Sequence, residues 1–320
     1  MSLDIAPRRR IAIFTDETGW HTRRLQRAFA RRGFEGRCVD LEQCRFETGG
    51  AGHGLVIPGF GRELPVAAIV RGIAGGSLEQ VTKRLGILHA LRELGVPVYN
   101  DARAIERSVD KSMTSFLLQK AGVASPPAWA VEDEAQARRI LMREASAGRS
   151  LVLKPMFGSQ GKGLMRVGLV DGVSVPLPEL TRYGGLAYLQ RFVPQAQVPG
   201  FDWRVMVVGG RAVAAMRRVS EHWVHNVAQG ARCAPCALDV GLADLAERAA
   251  AALDMDYAGV DLVPDPAAAA GAQVIEVNGV AAWRGLQKVT AFDIAQALVD
   301  DLLQRRLGLL HAHEATTLTA

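Results

Sequence analysis

The 320-residue sequence has no run of about 18 uncharged apolar residues, the length a membrane-spanning helix needs, so no membrane partner is expected. Its first apolar run, Ile11-Ala12-Ile13-Phe14, is too short for a signal-peptide core and reads as a strand, which predicts a cytoplasmic protein. Cysteine is scarce, with four residues in all. Cys233 and Cys236 form a CxxC, but Cys38 and Cys44 lie far off at another spacing, so a four-ligand zinc site lacks support. A thioredoxin-type pair would follow a strand and open a helix, whereas Gly230-Ala231-Arg232 reads as loop. The GxxxxGK[ST] of a Walker A loop is missing, and so is the GxSxG of a nucleophile elbow. The seven histidines sit in no nucleophile motif, which leaves Ser-His-Asp chemistry unsupported. Aromatics are only 6%, and Phe29, the one among Arg23, Arg24, Arg27, Arg31 and Arg32 on one expected helix, belongs to its apolar face and not to a series of stacking platforms. That helix carries much of the net charge of +5 and is read as a solvated basic face; nucleic acid is the disfavoured alternative.

What is present is an ordinary globular composition, 49% apolar and 22% charged, long enough for two or three domains. Strands at Ile11–Phe14, Cys38–Leu41, Val66–Val70 and Val96–Tyr99 alternate with helices at Trp20–Arg32 and from Ser77 to Leu94. Such alternation predicts an α/β domain with a parallel sheet. A second unit begins near Ala104 with a helix over Asp110–Ala121, and a helix at Glu134–Glu144 follows. Strands and hairpins then take over at Leu151–Lys154, Leu164–Val167, Ala187–Gln190, Trp203–Val208 and Ala212–Met216. A helix at Leu242–Leu253, strands at Gly259–Val263 and Val274–Asn278 and a helix through Phe292–Leu303 complete it, so this part is α+β.

Three constellations carry chemistry. Between two expected strands lies Lys154-Pro155-Met156-Phe157-Gly158-Ser159-Gln160-Gly161-Lys162-Gly163, whose glycines let backbone amides wrap a phosphate; an ordinary hairpin is the alternative. Glu276 and Asn278 share one face of a strand, and pairing of Val263 with Val274 would set Asp261 opposite Glu276. Two opposed carboxylates destabilise a ladder unless a cation lies between them, and this oxygen set suits Mg²⁺. The third set is basic: Lys111, Lys154, Arg204 and Arg218. Lys111 stands in a first helical turn, where the dipole disfavours a cation without an anionic partner.

In this order the motifs resemble the ATP-grasp superfamily, and within it the RimK-type amino-acid ligases. The resemblance rests on Asp110-Lys111, Lys154 with the glycine loop, Leu189-Gln190-Arg191-Phe192-Val193, Asp202-Trp203-Arg204, Asn226, Gly259-Val260-Asp261 and Glu276-Val277-Asn278. It implies an ATP-grasp fold preceded by a parallel-sheet pre-ATP-grasp domain. The expected bounds are 1–103 for the first domain, 104–310 for the second (104–184 with the flap, 185–310 C-terminal) and 311–320 for a flexible tail. By position, Lys111, Lys154, Gly158, Ser159, Gln160, Gly161, Gly163, Arg191, Phe192, Asp202 and Asn226 are the implied ATP contacts. Asp261, Glu276 and Asn278 are the implied magnesium ligands, with Mn²⁺ an admissible substitute. Arg204 and Arg218 are the implied catalytic arginines near the transferred phosphoryl group. Three positions depart from the family pattern: Arg191 replaces a glutamate, Val224 a basic residue, and Gly279-Val280-Ala281-Ala282-Trp283 a proline-containing loop.

The implied reaction joins a carboxylate to an amine through an acyl phosphate, releasing ADP and phosphate. The segments Trp283–Gln287 and Val289–Ile294 look most like relatives that glutamylate one-carbon carriers such as tetrahydromethanopterin. The partners expected are therefore ATP, glutamate and a carboxylate acceptor, with homo-oligomerisation left open. The alternatives are a dipeptide ligase resembling D-alanine–D-alanine ligase and an ATP-binding protein associated with nucleic acid.

Overall fold

The computed structural model describes residues 9–50, 52–158 and 160–309. Ser159 and the expected tail, 311–320, lie outside them. The chain forms two compact units.

The first unit starts with β1 (Arg10–Phe14), whose apolar residues are fully buried, as a central parallel strand requires. Helix α1 (Trp20–Arg31) buries Leu25, Ala28 and Phe29 and stops where Gly33 adopts φ +78°. Strands β2 (Glu35–Val39), β3 (Arg45–Phe46), β4 (Leu55–Val56) and β5 (Ala67–Val70) follow. Helix α2 (Leu78–Glu93) is capped by the Ser77 hydroxyl, which accepts from the Gln80 amide, and leads to β6 (Val98–Tyr99). The sheet runs β2-β1-β5-β6, every pair parallel. The chain thus builds outward on one side of β1 and then crosses to the other.

Helix α3 (Ala102–Val109), not anticipated from sequence, leads into the second unit, residues 104–279 with Lys288–Ala291. Helix α4 (Lys111–Lys120) begins where the Asp110 carboxylate accepts from the amides of Ser112 and Met113. Strand β7 (Ala128–Val131), α5 (Glu134–Ser146), β8 (Ser150–Lys154), β9 (Met165–Val170), β10 (Val173–Val175) and β11 (Ala187–Arg191) form an antiparallel sheet in the order β10-β9-β8-β11-β7. Ile140 and Leu141 of α5 pack on Leu151, Leu153 and Leu189 beneath it.

A second antiparallel sheet, β14-β13-β12-β15-β16, comprises β12 (Gly200–Val208), β13 (Arg211–Ser220), β14 (Arg232–Cys236), β15 (Tyr257–Pro264) and β16 (Ala272–Asn278). Helix α6 (Val240–Ala252) covers one face with Leu242, Leu245, Ala246 and Ala249. Strand β14 holds the CxxC. Side chains three apart on a strand point to opposite faces, so Cys233, opposite Arg218, and Cys236, opposite Ala215, do not form a chelating pair.

One grouping differs from the sequence reading. Val280–Gln287 and residues 292–309 pack with the first unit, not with residues 104–279. They carry α7 (Arg284–Gln287) and α8 (Ile294–Asp301). The basic face of α1 meets α8 there: Arg31 reaches Asp293 at 3.0 Å and Arg32 grips Asp300 through two 2.7 Å bonds. Three of that face's arginines, Arg24 included, thus serve helix packing, which weakens the nucleic-acid reading. Among the described residues, no helix is long and apolar enough to cross a membrane.

Candidate active site

The open face of the second sheet carries a row of alternating charges that the strand register creates. Arg218 of β13 pairs with Asp202 of β12, Arg204 of β12 with Asp261 of β15, and Asp261 with Glu276 of β16. The last pairing is as expected, but its route is not. Val263 lies opposite Gln273, and a one-residue shift between Asp261 and Leu262 skips Ile275 and restores the carboxylate pair.

Arginines occupy the two aspartates, Asp261 and Asp202. Asp261, 1% exposed, accepts from Arg204 through both oxygens, with Arg204 Nη2 2.8 Å from Oδ2. Arg218 Nη2 lies 3.0 Å from the same Oδ2. Arg218 also holds Asp202 through Nε at 2.7 Å and Nη2 at 2.5 Å. Burial pushes the Asp202 carboxyl up to about 7 against the pull of Arg218. Asp261 is as deeply desolvated, yet two guanidiniums hold its carboxyl below the usual range. The pair thus shares one arginine, and Asp261 has the stronger claim to the ionised state. Both Arg204 and Arg218 are engaged by protein carboxylates here, whereas the sequence reading sent them to the phosphoryl group.

The lysines converge from other elements. Lys154, at the end of β8, is half-buried and donates to Gln190 Oε1 at 2.6 Å. Desolvation lowers its ammonium to about 8, with Lys111 pulling the same way and Glu276 opposing. Lys111 donates to the carbonyls of Met156 and Gly158 at 3.2 and 3.0 Å, so its ammonium pins the start of the glycine loop. Burial lowers it too, opposed by Glu276 and Asp110. Glu276 is therefore the anionic counterweight to both lysines.

The loop itself joins β8 to β9 as a flap, with Gly161 and Gly163 at φ +71° and +72°. A Cβ on Gly161 would stand 2.6 Å from Asn226 Oδ1 and 2.7 Å from Val224. Close approach as well as positive φ demands glycine there. Gln229 donates to the Gln160 carbonyl and Tyr183 to that of Gly163. The flap therefore rests on the 224–229 segment. Beneath it is a cavity of about 100 Å³ lined by Lys111, Lys154, Asp202, Asn226, Asp261 and Glu276. Ligand pockets run to roughly 300–1,000 Å³, so the space beneath the flap as it lies is smaller than a nucleotide-sized ligand needs.

The hinge strand borders the same cavity through Arg191, Phe192 and Val193. The amides of Arg191 and Phe192 donate to the Pro127 and Ser150 carbonyls at 2.8 and 3.0 Å. The Arg191 side chain turns to Glu144, a buried carboxylate also held by Arg149 at 2.7 Å. Sequence reasoning missed Glu144, Gln190 and His225. Gln190 could have been found as a lone amide in the apolar strand Ala187–Arg191. His225 is 5% exposed, lies beside Asp202 at 3.9 Å, and is lowered to about 4 by burial and Arg218.

As a metal site the donors are hard and oxygen-rich. Asp261 and Glu276 are directly paired, and Asn278 commits its nitrogen to the Gly259 carbonyl at 3.1 Å, not its oxygen. That set fits Mg²⁺, which takes its remaining ligands from water and phosphate.

Comparison with known proteins agrees on one family. A profile of the RimK-like ATP-grasp domain matches residues 108–302, and one of the RimK PreATP-grasp domain matches residues 10–105. The tetrahydromethanopterin:alpha-L-glutamate ligase of Methanosarcina acetivorans is 30% identical over 266 residues, covering 74% of this chain and 79% of that protein. The ligase of the same name from Methanococcus maripaludis is 34% identical, covering 74% and 78%. Among solved structures, ATP-grasp ligase PsnB complexed with a phosphomimetic variant of minimal precursor, Mg and ADP matches with a TM-score of 0.69. It covers 92% of this chain and 98% of that one at 23% identity, a likeness of fold.

Proposed function

Because the chain belongs to the RimK-like ATP-grasp family, we propose that it is an ATP-dependent ligase adding glutamate to a carboxylate acceptor through an acyl phosphate. The observation that carries this reading is the convergence of Lys111, Lys154, the flap and the Asp261–Glu276 pair on one cavity. The acceptor class follows from the two tetrahydromethanopterin ligases: a one-carbon carrier cofactor of that kind.

On this reading Lys154 and Lys111 offset the phosphate charge of ATP, and Glu276 keeps both cationic inside a desolvated site. Flap amides from Gly158 to Gly163, Ser159 and Gln160 among them, donate to phosphate oxygens, with Asn226 on the facing segment. The backbone of the hinge, Arg191 and Phe192 with Val193 beside them, reads adenine at the cavity's edge. Asp261, Glu276 and Asn278 would hold Mg²⁺, or Mn²⁺ in its place, and the ion would neutralise charge on the phosphates. The acceptor carboxylate attacks the γ-phosphorus and ADP leaves. The glutamate amine then attacks the acyl carbon, phosphate leaves, and the closed flap keeps water from that carbon. Arg204 and Arg218 fix Asp261 and Asp202, and they reach the phosphoryl group only by exchanging those partners. The test is an ADP-release screen of amino acids against tetrahydromethanopterin-type acceptors, with product mass as readout. Glutamate-dependent release and a mass gain of one glutamyl residue are expected; release without amide would refute the assignment.

A further inference from the structure

Unit 1 contains a second, independent cluster at a place where open parallel sheets bind ligands. The strand order β2-β1-β5-β6 reverses direction between β1 and β5, and the crevice outside the carboxyl ends of strands at such a switch point is the preferred ligand position. The loops leaving β1 and β5 meet closely there: a Cβ on Gly72 would stand 1.9 Å from Asp16 Oδ1. The first turn of α1 opens from the same edge, contains no acidic residue, and carries Trp20 and His21. From the C-terminal segment, Trp283 closes on it. Its backbone N–H donates to His21 Nε2 at 3.1 Å, which leaves the imidazole proton on Nδ1 as a donor. The two rings meet edge to face at 4.6 Å, and the Arg71 guanidinium lies 4.4 Å from the centre of the Trp283 ring. Trp283 is 1% exposed, yet its indole Nε1 has no hydrogen-bond partner among the described residues. Burial first, then Arg71 and Arg284, lower His21 to about 4, which keeps the imidazole neutral. The Asp16 carboxylate borders the same crevice.

We propose that this crevice binds an anionic group, carboxylate or phosphate, of the acceptor, with Arg71 and Arg284 supplying charge, His21 Nδ1–H a directed donor and α1 its positive end. The inference rests on the proposed ligase activity only in naming the ligand as the acceptor. The chemistry is that of an anion: two guanidiniums and a neutral donor have nothing to offer a cation, and the Trp283 ring is already covered by Arg71.

The experiment uses the full chain and two probes, glutarate and inorganic phosphate, titrated while the indole N–H resonances of the five tryptophans are followed. Trp283→Phe assigns the Trp283 signal. Saturable displacement of that signal by either probe is expected, and the stronger probe identifies which anion the site reads. Arg284→Gln, an exposed position, should weaken the binding at least tenfold, and Arg71→Gln likewise. In turnover, Arg284→Gln should raise the acceptor KM and leave the KM values of ATP and glutamate unchanged. No displacement in wild type, equal binding by Arg284→Gln, or a KM change for glutamate alone would overturn the proposal. ATP binding measured on the same samples separates the two readings. Failure of ATP to bind would sink the ligase assignment while leaving the anion site standing.

Discussion

Asp261 and Glu276 face each other because the ladder between β15 and β16 slips by one residue at Ile275. Without the slip, the pairing that begins at Pro264 and Ala272 would bring Ile275 opposite Asp261 and move Glu276 out of line. A bulge re-aims side chains at functional sites, and here it assembles a carboxylate pair on a sheet face whose reverse is apolar core.

Glu276 is the member of that pair not tied up by arginine, and it balances Lys111 and Lys154. Glu276→Gln keeps the shape and removes the charge. The expected outcome is a folded protein with unchanged melting temperature, within a few degrees, and loss of magnesium-dependent turnover. Full activity of this variant, or of wild type in excess chelator, would contradict the metal assignment.

Lys154→Ala removes one charged contact to the nucleotide. A hydrogen bond to a charged group contributes about 1.5–3 kcal/mol, so ATP affinity should fall roughly ten- to a hundredfold. Calorimetric titration with ATP checks this; an unchanged Kd would place the lysine outside the nucleotide site.

Much of this was legible in sequence, and the failures share a cause. Periodicity found β1, α1 and β5, and the helices expected from Ser77 and from Asp110 begin at those residues' caps. The order of motifs gave the family. What stayed hidden depended on partners distant in the chain. Nothing local to Arg204 or Arg218 says that each will meet an aspartate across the sheet. Nothing in Arg191 announces Glu144, 47 residues away. The same limit hid the packing of Val280–Gln287 with the first unit, because a segment following Asn278 carries no local mark of its destination. The CxxC, discounted from sequence as a metal or redox pair, lies on a strand that sends its two thiols to opposite faces.

Gly161→Ala should affect the flap alone. It forces a side chain into φ +71° and against Asn226, so the flap cannot settle on the 224–229 segment. The sheet beneath should stay folded. The expected phenotype is uncoupled turnover, with ADP formed in excess of amide as water reaches the acyl phosphate. The ratio of the two products in wild type and variant is the readout; a ratio near one in the variant would rule out water exclusion by the flap.

The pH dependence of stability should carry the mark of His21. Its pKa in the folded protein is lowered from 6.5 to about 4, so the unfolded chain binds the extra proton first. The stabilisation is complete above about pH 6.5 and is lost as pH falls towards 4. Melting temperatures measured over that window should decline in wild type and decline less in His21→Gln. Parallel curves would mean that His21 titrates alike in both states.

The central claim is a phosphorylated carboxylate, and oxygen tracing tests it directly. With an acceptor whose carboxylate is labelled with ¹⁸O, ATP and glutamate, the account predicts one labelled oxygen in each inorganic phosphate released, matched to each amide formed. Label absent from phosphate, or carried by AMP, would contradict it.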